Sequence, residues 1–132
     1  MKRLISAKLA GNILLILFGA LAVFHILILL SLLPSDIVWG GQAVNSSNSL
    51  RILEMVSLAF TILFAIVVAA KISYIKVGKF AQLVNVFLWF IFAYLLLNTL
   101  GNLASSSLTE KLIFTPITII AAFLVLRLAI EK

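Results

Sequence analysis

The chain has no cysteine, one histidine, two prolines and four acidic residues. Without thiols there are no disulfides, no thiolate nucleophile and no dithiol redox pair, and the absence says nothing of compartment. One histidine among scattered acids makes no metal-ligand set, so neither a metal nor a cofactor is expected. No glycine-rich phosphate loop and no nucleophile elbow occurs. Charge is scarce as well, at 11% of residues, where soluble domains carry about a quarter.

What the chain has instead is apolar length. Hydrophobic residues make up 64% of its 132 positions. That leaves too little polar surface to cover a soluble globule, so the solvent is lipid. The length suits a single transmembrane domain over residues 1–132. Crossing about 30 Å of hydrocarbon takes roughly 20 residues. Four runs qualify, at about 9–33, 52–75, 80–103 and 112–130. The first follows Lys2, Arg3 and Lys8 in the manner of a signal peptide. Its apolar run far exceeds the about 7–15 residues of a signal core and no small-x-small site follows, so it is read as a retained span.

An even number of spans puts both termini on one side. That side holds Lys2, Arg3, Lys8, Lys71, Lys76, Lys79, Arg127 and Lys132, and the other only Arg51 and Lys111. The positive-inside rule then places both termini in the cytoplasm of a cell (inner) membrane. Asp36, Glu54 and Glu110 fall outside. This asymmetry accounts for the net charge of +6 without nucleic acid, and the bilayer is the expected partner. The expected fold class is all-α: a membrane four-helix antiparallel bundle, N-in and C-in, with a structured outer loop between helices 1 and 2.

That loop opens with "LPSDIVWGGQ". Pro34 is expected to stop the first helix, Trp39 to sit at the interface, and Gly40-Gly41 to make a sharp turn. "NSSNS" at 45–49 reads as polar linker, and its formal glycosylation sequon carries little weight.

In lipid, helices associate through small residues and polar contacts. The first span offers Lys8, Gly11, Asn12, Gly19, Ala22 and His25 at helical spacing. The second offers Glu54, Ser57, Thr61, Ala65 and Ala69, and the fourth Thr115, Thr118, Ala122 and Ala129. The third carries Gln82, Asn85 and Trp89 on one face, then Asn98, Gly101 and Asn102 on the opposite one, which predicts different neighbours at its two ends. Ser107 to Glu110 fits a capping box before the last span. Pro116 is expected to kink that span about two turns in, with Thr115 and Thr118 resatisfying the freed backbone.

Polar groups in a bilayer are costly, and each is a candidate site residue. His25, Asp36, Glu54, Asn98, Asn102, Thr115 and Thr118 lie toward the outer side, joined by Trp39 from the loop. If they converge, they form a small polar pocket for a hydrophobic ligand or a membrane-protein partner. His25 reads first as a hydrogen bond across a helix interface and second as a proton relay. Glu54 reads first as a capping or headgroup-facing acid. Asn98 and Asn102, one turn apart, are the stronger pair. On the inner side Asn12, Lys71, Gln82, Asn85 and Arg127 form a second polar group, with Lys71 and Arg127 expected to snorkel.

"LPSDIVWGG", "LLNTLGNLASSSLTEKLIFTPIT" and "LRLAIEK" resemble a group of small, uncharacterised four-span bacterial membrane proteins. The resemblance covers most of the chain from the first outer loop onward. It implies fold and bacterial origin and supplies no mechanism. It draws attention to the outer face, including Gly101, Glu110, Lys111 and Pro116. "DIVWGG" is expected to fold as a lid over the outer ends of helices 3 and 4, anchored by Trp39, with Asp36 paired to Asn98, Asn102, Lys111 or Arg51.

The leading functional reading is a non-enzymatic bundle that binds a ligand or partner through its outer face. A small transporter or channel is the alternative, favoured by a continuous polar path from His25 to Asn85. Small multidrug transporters carry a glutamate in the middle of the first span, and this chain has none there. A lipid-acting intramembrane enzyme comes third, with His25 and Glu54 or Asp36 as a base pair, and needs those groups within hydrogen-bond reach. The glycine-bearing first helix offers a face for a homo-oligomer.

Overall fold

The computed structural model describes residues 4–39 and 47–131. Gly40, Gly41, Asn45 and the terminal cations Lys2, Arg3 and Lys132 lie outside the described residues. Four helices form the fold: α1 (Ala7–Leu29), α2 (Ser47–Lys71), α3 (Ala81–Ala104) and α4 (Thr115–Ala129). No strand occurs among the described residues. A π-helical turn at Glu110–Phe114 leads into α4. The helices make an antiparallel bundle in which α1 packs along α2 and α3 along α4, while α1 against α4 closes one side. The α2–α3 seam is the loosest of the four. With the π turn counted into the last span, which then runs Glu110–Ala129, all four helical segments are long and apolar enough to cross a membrane.

Burial runs opposite to that of a soluble protein. Ile16, Leu97 and Leu112 are 73%, 69% and 66% exposed, while Glu54 and Arg127 are 1% and 3% exposed. In water each exposed leucine or isoleucine would forgo about 1.5–3 kcal/mol of burial, whereas in lipid it forgoes almost nothing. Space between the helices goes to alanine, threonine and a few well-fitted large residues. The core joins Leu14 and Phe18 of α1, Phe64 and Val68 of α2, Leu88, Ile91 and Leu95 of α3, and Val125 and Leu128 of α4. These side chains fill the middle of the bundle and separate its two polar ends.

Helix boundaries depart from expectation at the loop end of α1. Pro34 does not stop the helix, which ends at Leu29. Ser31 takes a left-handed φ of 58°. The Leu32 N–H donates to Leu27 O at 2.9 Å and the Ser31 N–H to Ile28 O at 2.9 Å. That pairing is a Schellman cap, which satisfies the last carbonyls before the proline is reached. α2 ends the same way at Ser73, φ 66°, with Tyr74 N–H donating to Ala69 O at 2.8 Å. Hydrophobic runs overshoot both helices because residues beyond the caps remain apolar.

The start of the last helix also differs in detail. Half of the capping box forms, with Ser107 Oγ accepting from Glu110 N–H at 3.4 Å. The Glu110 carboxylate accepts from Ser105 Oγ, which itself accepts the Ser107 N–H at 2.9 Å. The Ser105 hydroxyl is thus inserted into the reciprocal link. Pro116 does not kink α4 two turns in. It stands in the first turn of α4, where its missing N–H costs little. The preceding π turn absorbs the mismatch, and Thr115 both caps it through its N–H and donates its hydroxyl to Glu110 O at 3.1 Å.

The expected switch of face in α3 is absent. Leu88, Ile91, Leu95, Thr99 and Asn102 make one buried stripe along the helix. Gln82 and Trp89 are exposed, because lipid tolerates an indole and the helix end lets a glutamine reach water. Gly11 and Gly19 also part ways. A Cβ on Gly11 would stand 2.4 Å from Ile72 Cγ2, whereas one on Gly19 would meet nothing within 4 Å.

The end carrying the termini is tied by polar bonds. Arg127 Nε donates to Ile5 O at 2.9 Å and its Nη1 lies 2.6 Å from Glu131 Oε2. Lys71 Nζ donates to Asn85 Oδ1 at 3.1 Å and Glu131 O at 2.8 Å. Neither cation snorkels freely as expected. Partners within the bundle satisfy them at shorter reach than the headgroup layer would. Tyr74 adds a bond to Asn12 Oδ1 at 2.8 Å.

Candidate functional site

The end opposite the termini holds a cavity of about 170 Å³. All four helices line it, with Trp39 from the loop as its cover. His25, Trp39, Glu54, Asn98, Asn102 and Thr118 converge on it, as the sequence suggested. Asp36 and Thr115 do not line it.

Glu54 is the centre of the site. Its position near the start of α2 suggested a capping or headgroup-facing acid, but the side chain points inward and is 1% exposed. Its Oε2 lies 2.6 Å from His25 Nδ1, and its Oε1 accepts from Trp39 Nε1 at 2.8 Å. A buried carboxylate without partners would cost several kcal/mol. Here one donor meets each oxygen, and that pairing makes the inward rotamer affordable. His25 therefore forms the cross-helix hydrogen bond read from the sequence, and its partner is Glu54, one of the two acids paired with it in the enzymatic reading. With Nδ1 engaged, Nε2 has no hydrogen bond to any described residue.

Trp39 reaches Glu54 at a conformational cost. Its φ is +57°, a left-handed region that bulky residues seldom occupy. Such outliers persist only where surrounding contacts hold them. Val38 beside it is buried at 7% exposure, and Ser107 Oγ donates to Ile37 O at 3.3 Å. The loop segment thus lies over the bundle end. Its anchor is α2 rather than the amides of α3. Asp36 stays exposed in the 3-10 turn at Ser35–Ile37. It bonds none of Asn98, Asn102, Lys111 or Arg51, because the turn directs its carboxylate away from the cavity.

Asn98 and Asn102 sit one turn apart on α3, the first exposed and the second 7% exposed. Thr99 between them turns to α4 and donates to Thr118 Oγ1 at 2.8 Å. Thr118 passes the chain on to Thr115 O at 3.0 Å. Thr115 therefore serves the π turn, and Thr118 serves both helix packing and the cavity wall. The π turn places Glu110 and Phe114 on that wall, and Phe114 packs its ring 5.1 Å from Phe24 of α1.

Most of the apolar lining escaped the sequence reading, Phe60, Phe64 and Tyr94 included. Tyr94 was within reach, since Tyr94, Asn98 and Asn102 follow the i, i+4, i+8 spacing of one helix face. The two phenylalanines carried no signal among ten in the chain. No group of three or more histidine, aspartate or glutamate side chains gathers as a metal site among the described residues.

The fold and cavity describe a small helical protein with four segments fit to cross a membrane and, at one end, a largely apolar chamber that carries a few polar groups. No family model matches the chain, and no curated protein or solved structure is significantly similar to it.

Proposed function

We propose that this chain is a four-span bacterial cell-membrane protein, both termini cytoplasmic, that binds a small ligand in the Glu54 cavity on the outer side. The observation that carries this reading is the pairing of both Glu54 oxygens, by His25 and Trp39, at the wall of a cavity that all four helices line. An engineered cavity of about 150 Å³ takes up benzene, so about 170 Å³ suits a head group or a single ring. The binding reading is preferred to transport because Phe18, Phe64, Leu88 and Ile91 interrupt any polar path toward Asn85.

The test is native mass spectrometry from nanodiscs, comparing the wild type with Asn98→Ala/Asn102→Ala. A discrete adduct lost in the double variant supports the site. Bare protein in both, with unchanged oligomeric state, sinks it.

One observation favours a second reading, chemistry on a bound lipid. The 2.6 Å contact of His25 with Glu54 meets the distance required of an oriented base. With Nδ1–H held by the carboxylate, Nε2 would present a lone pair to the cavity. No serine or threonine hydroxyl bonds His25 among the described residues, which places binding ahead of nucleophilic catalysis. Turnover of a bound lipid that stops in His25→Gln would reverse that order.

A further inference from the structure

We propose that the cavity is loaded sideways from the lipid phase, through a gap between α2 and α3. We further propose that its occupant is an uncharged membrane amphiphile with a hydroxyl or amide head group. The inference rests on the binding reading above and adds the route and the ligand class.

The route follows from which cavity walls are open. Among the described lining residues, those of α1 and α4 are buried or half-buried. On the other side, Phe60 of α2 is 37% exposed, Tyr94 of α3 is 37% exposed, and Asn98 is exposed. Each of these three touches both the cavity and the outside. They flank the α2–α3 seam, the least packed in the bundle. The opposite side is sealed by the Phe24–Phe114 ring contact at 5.1 Å. At the loop end Val38, the bond from Ser107 to Ile37 O, and Trp39, itself 38% exposed and held by its bond to Glu54, lie over the cavity.

The gap also has a floor. The rings of Phe60 and Tyr94 stack across the seam with centroids 6.2 Å apart and planes 12° from parallel. Ser57 and Asn98 stand one turn above them. α3 ends at Ala104, so at 1.5 Å per residue Asn98 lies about 9 Å and Tyr94 about 15 Å below the helix end. In a core about 30 Å thick, that depth is hydrocarbon. A tail leaving there meets acyl chains, while its head lies among Glu54, His25 and the two asparagines.

The head group's charge follows from the lining. Among the described residues, Glu54 and Glu110 line the cavity and no lysine or arginine does. A phosphate or carboxylate head would meet the Glu54 and Glu110 carboxylates, and no lysine or arginine among the described lining residues would offset that repulsion. A hydroxyl or amide can donate to an asparagine carbonyl or the imidazole and accept from an asparagine N–H. The volume admits such a head and leaves the tail outside.

The probe is a monoacylglycerol with a diazirine in its acyl chain, added to the full-length protein in nanodiscs. A lysophosphatidylglycerol with the same chain is its comparison. After irradiation, labelled residues are mapped by mass spectrometry. Saturable labelling by the uncharged probe at the residues that flank the gap, within 57–64 and 94–102, is expected. Ser57→Trp, which fills the gap, should raise its half-saturating concentration about tenfold. The anionic probe should label only the lipid-facing surface, without saturation. Equal saturable labelling by both probes overturns the head-group class, and indifference to Ser57→Trp overturns the route.

A nitroxide on Asn98→Cys gives a second readout that does not need the bulky variant, and the cysteine-free chain makes it unique. Relaxation by dissolved oxygen but not by a polar nickel chelate is expected. Strong relaxation by the chelate would mean aqueous loading from the loop end and would overturn the route. A mass-spectrometric adduct that is lost in Asn98→Ala/Asn102→Ala but indifferent to Ser57→Trp would keep the site and reject the route. Neither adduct nor saturable labelling would reject both.

Discussion

Replacing Glu54 by alanine isolates the contact on which the site is built. The carboxylate accepts one bond from His25 and one from Trp39, at 2.6 and 2.8 Å. Hydrogen bonds to a charged group contribute about 1.5–3 kcal/mol each, so the gross loss is about 3–6 kcal/mol. Two effects reduce it. Removing a side chain that is 1% exposed returns part of its desolvation cost. His25 and Trp39, whose exposures are 16% and 38%, recover some solvation when released. The net destabilisation should be about 2–3 kcal/mol. Glu54→Gln keeps shape and one acceptor, and a change of imidazole tautomer accommodates its amide, so it should cost about 1 kcal/mol.

The assay is reversible unfolding in mixed micelles, monitored on a Trp89→Phe background so that Trp39 alone reports. Trp39 emission should shift to the red in Glu54→Ala as the indole loses its acceptor and the strained φ relaxes. A Glu54→Ala/Trp39→Phe double variant should lose clearly less than the sum of its parts, because the two residues share one bond. Stability of Glu54→Ala within about 0.5 kcal/mol of the parent, with unchanged emission, would refute the reasoning. It would mean that the carboxylate's burial cost had cancelled its bonds.

Three further outcomes follow from the packing. Gly11→Leu should destabilise by about 1–3 kcal/mol through overpacking against Ile72, while Gly19→Leu should be near neutral in the same unfolding assay, since its Cβ site is open. Arg127→Met should cost about 1–3 kcal/mol, because it leaves the Ile5 carbonyl without this donor and removes the contact with the partly exposed Glu131 carboxylate; measured beside it, Glu131→Gln should cost less. Thr118→Val breaks the hydroxyl link from Thr99 and should cost about 0.6 kcal/mol, the usual size of such a bond between membrane helices, read by a cycle with Thr99→Val.

Much of this architecture is a one-dimensional property and was legible as such. The number of spans depends on runs of apolar residues, each long enough to satisfy its own backbone in lipid, and no tertiary contact alters that count. The convergence of His25, Trp39, Glu54, Asn98, Asn102 and Thr118 was also within reach, since consecutive antiparallel spans put the first and third connections at the same end of the bundle. Helix ends were less legible. Ser31 and Ser73 stop α1 and α2 through left-handed caps that hydrophobicity does not report, and the π turn before Pro116 depends on where Thr115 finds a carbonyl.

The role of each polar residue was decided only in three dimensions. By sequence, Glu54 is an acid in the first two turns of a helix, and such acids usually face water. It turns inward because His25 and Trp39, 29 and 15 residues away, each bring a donor to it, and a buried charge is stable only where such partners meet. Asp36, similar in kind and only three residues from Trp39, finds none and stays outside. Arg127 follows Glu54's logic at the opposite end, with partners at Ile5 and Glu131. Composition and periodicity specify what a residue costs to bury. Whether that cost is met depends on donors and acceptors that only folding brings together.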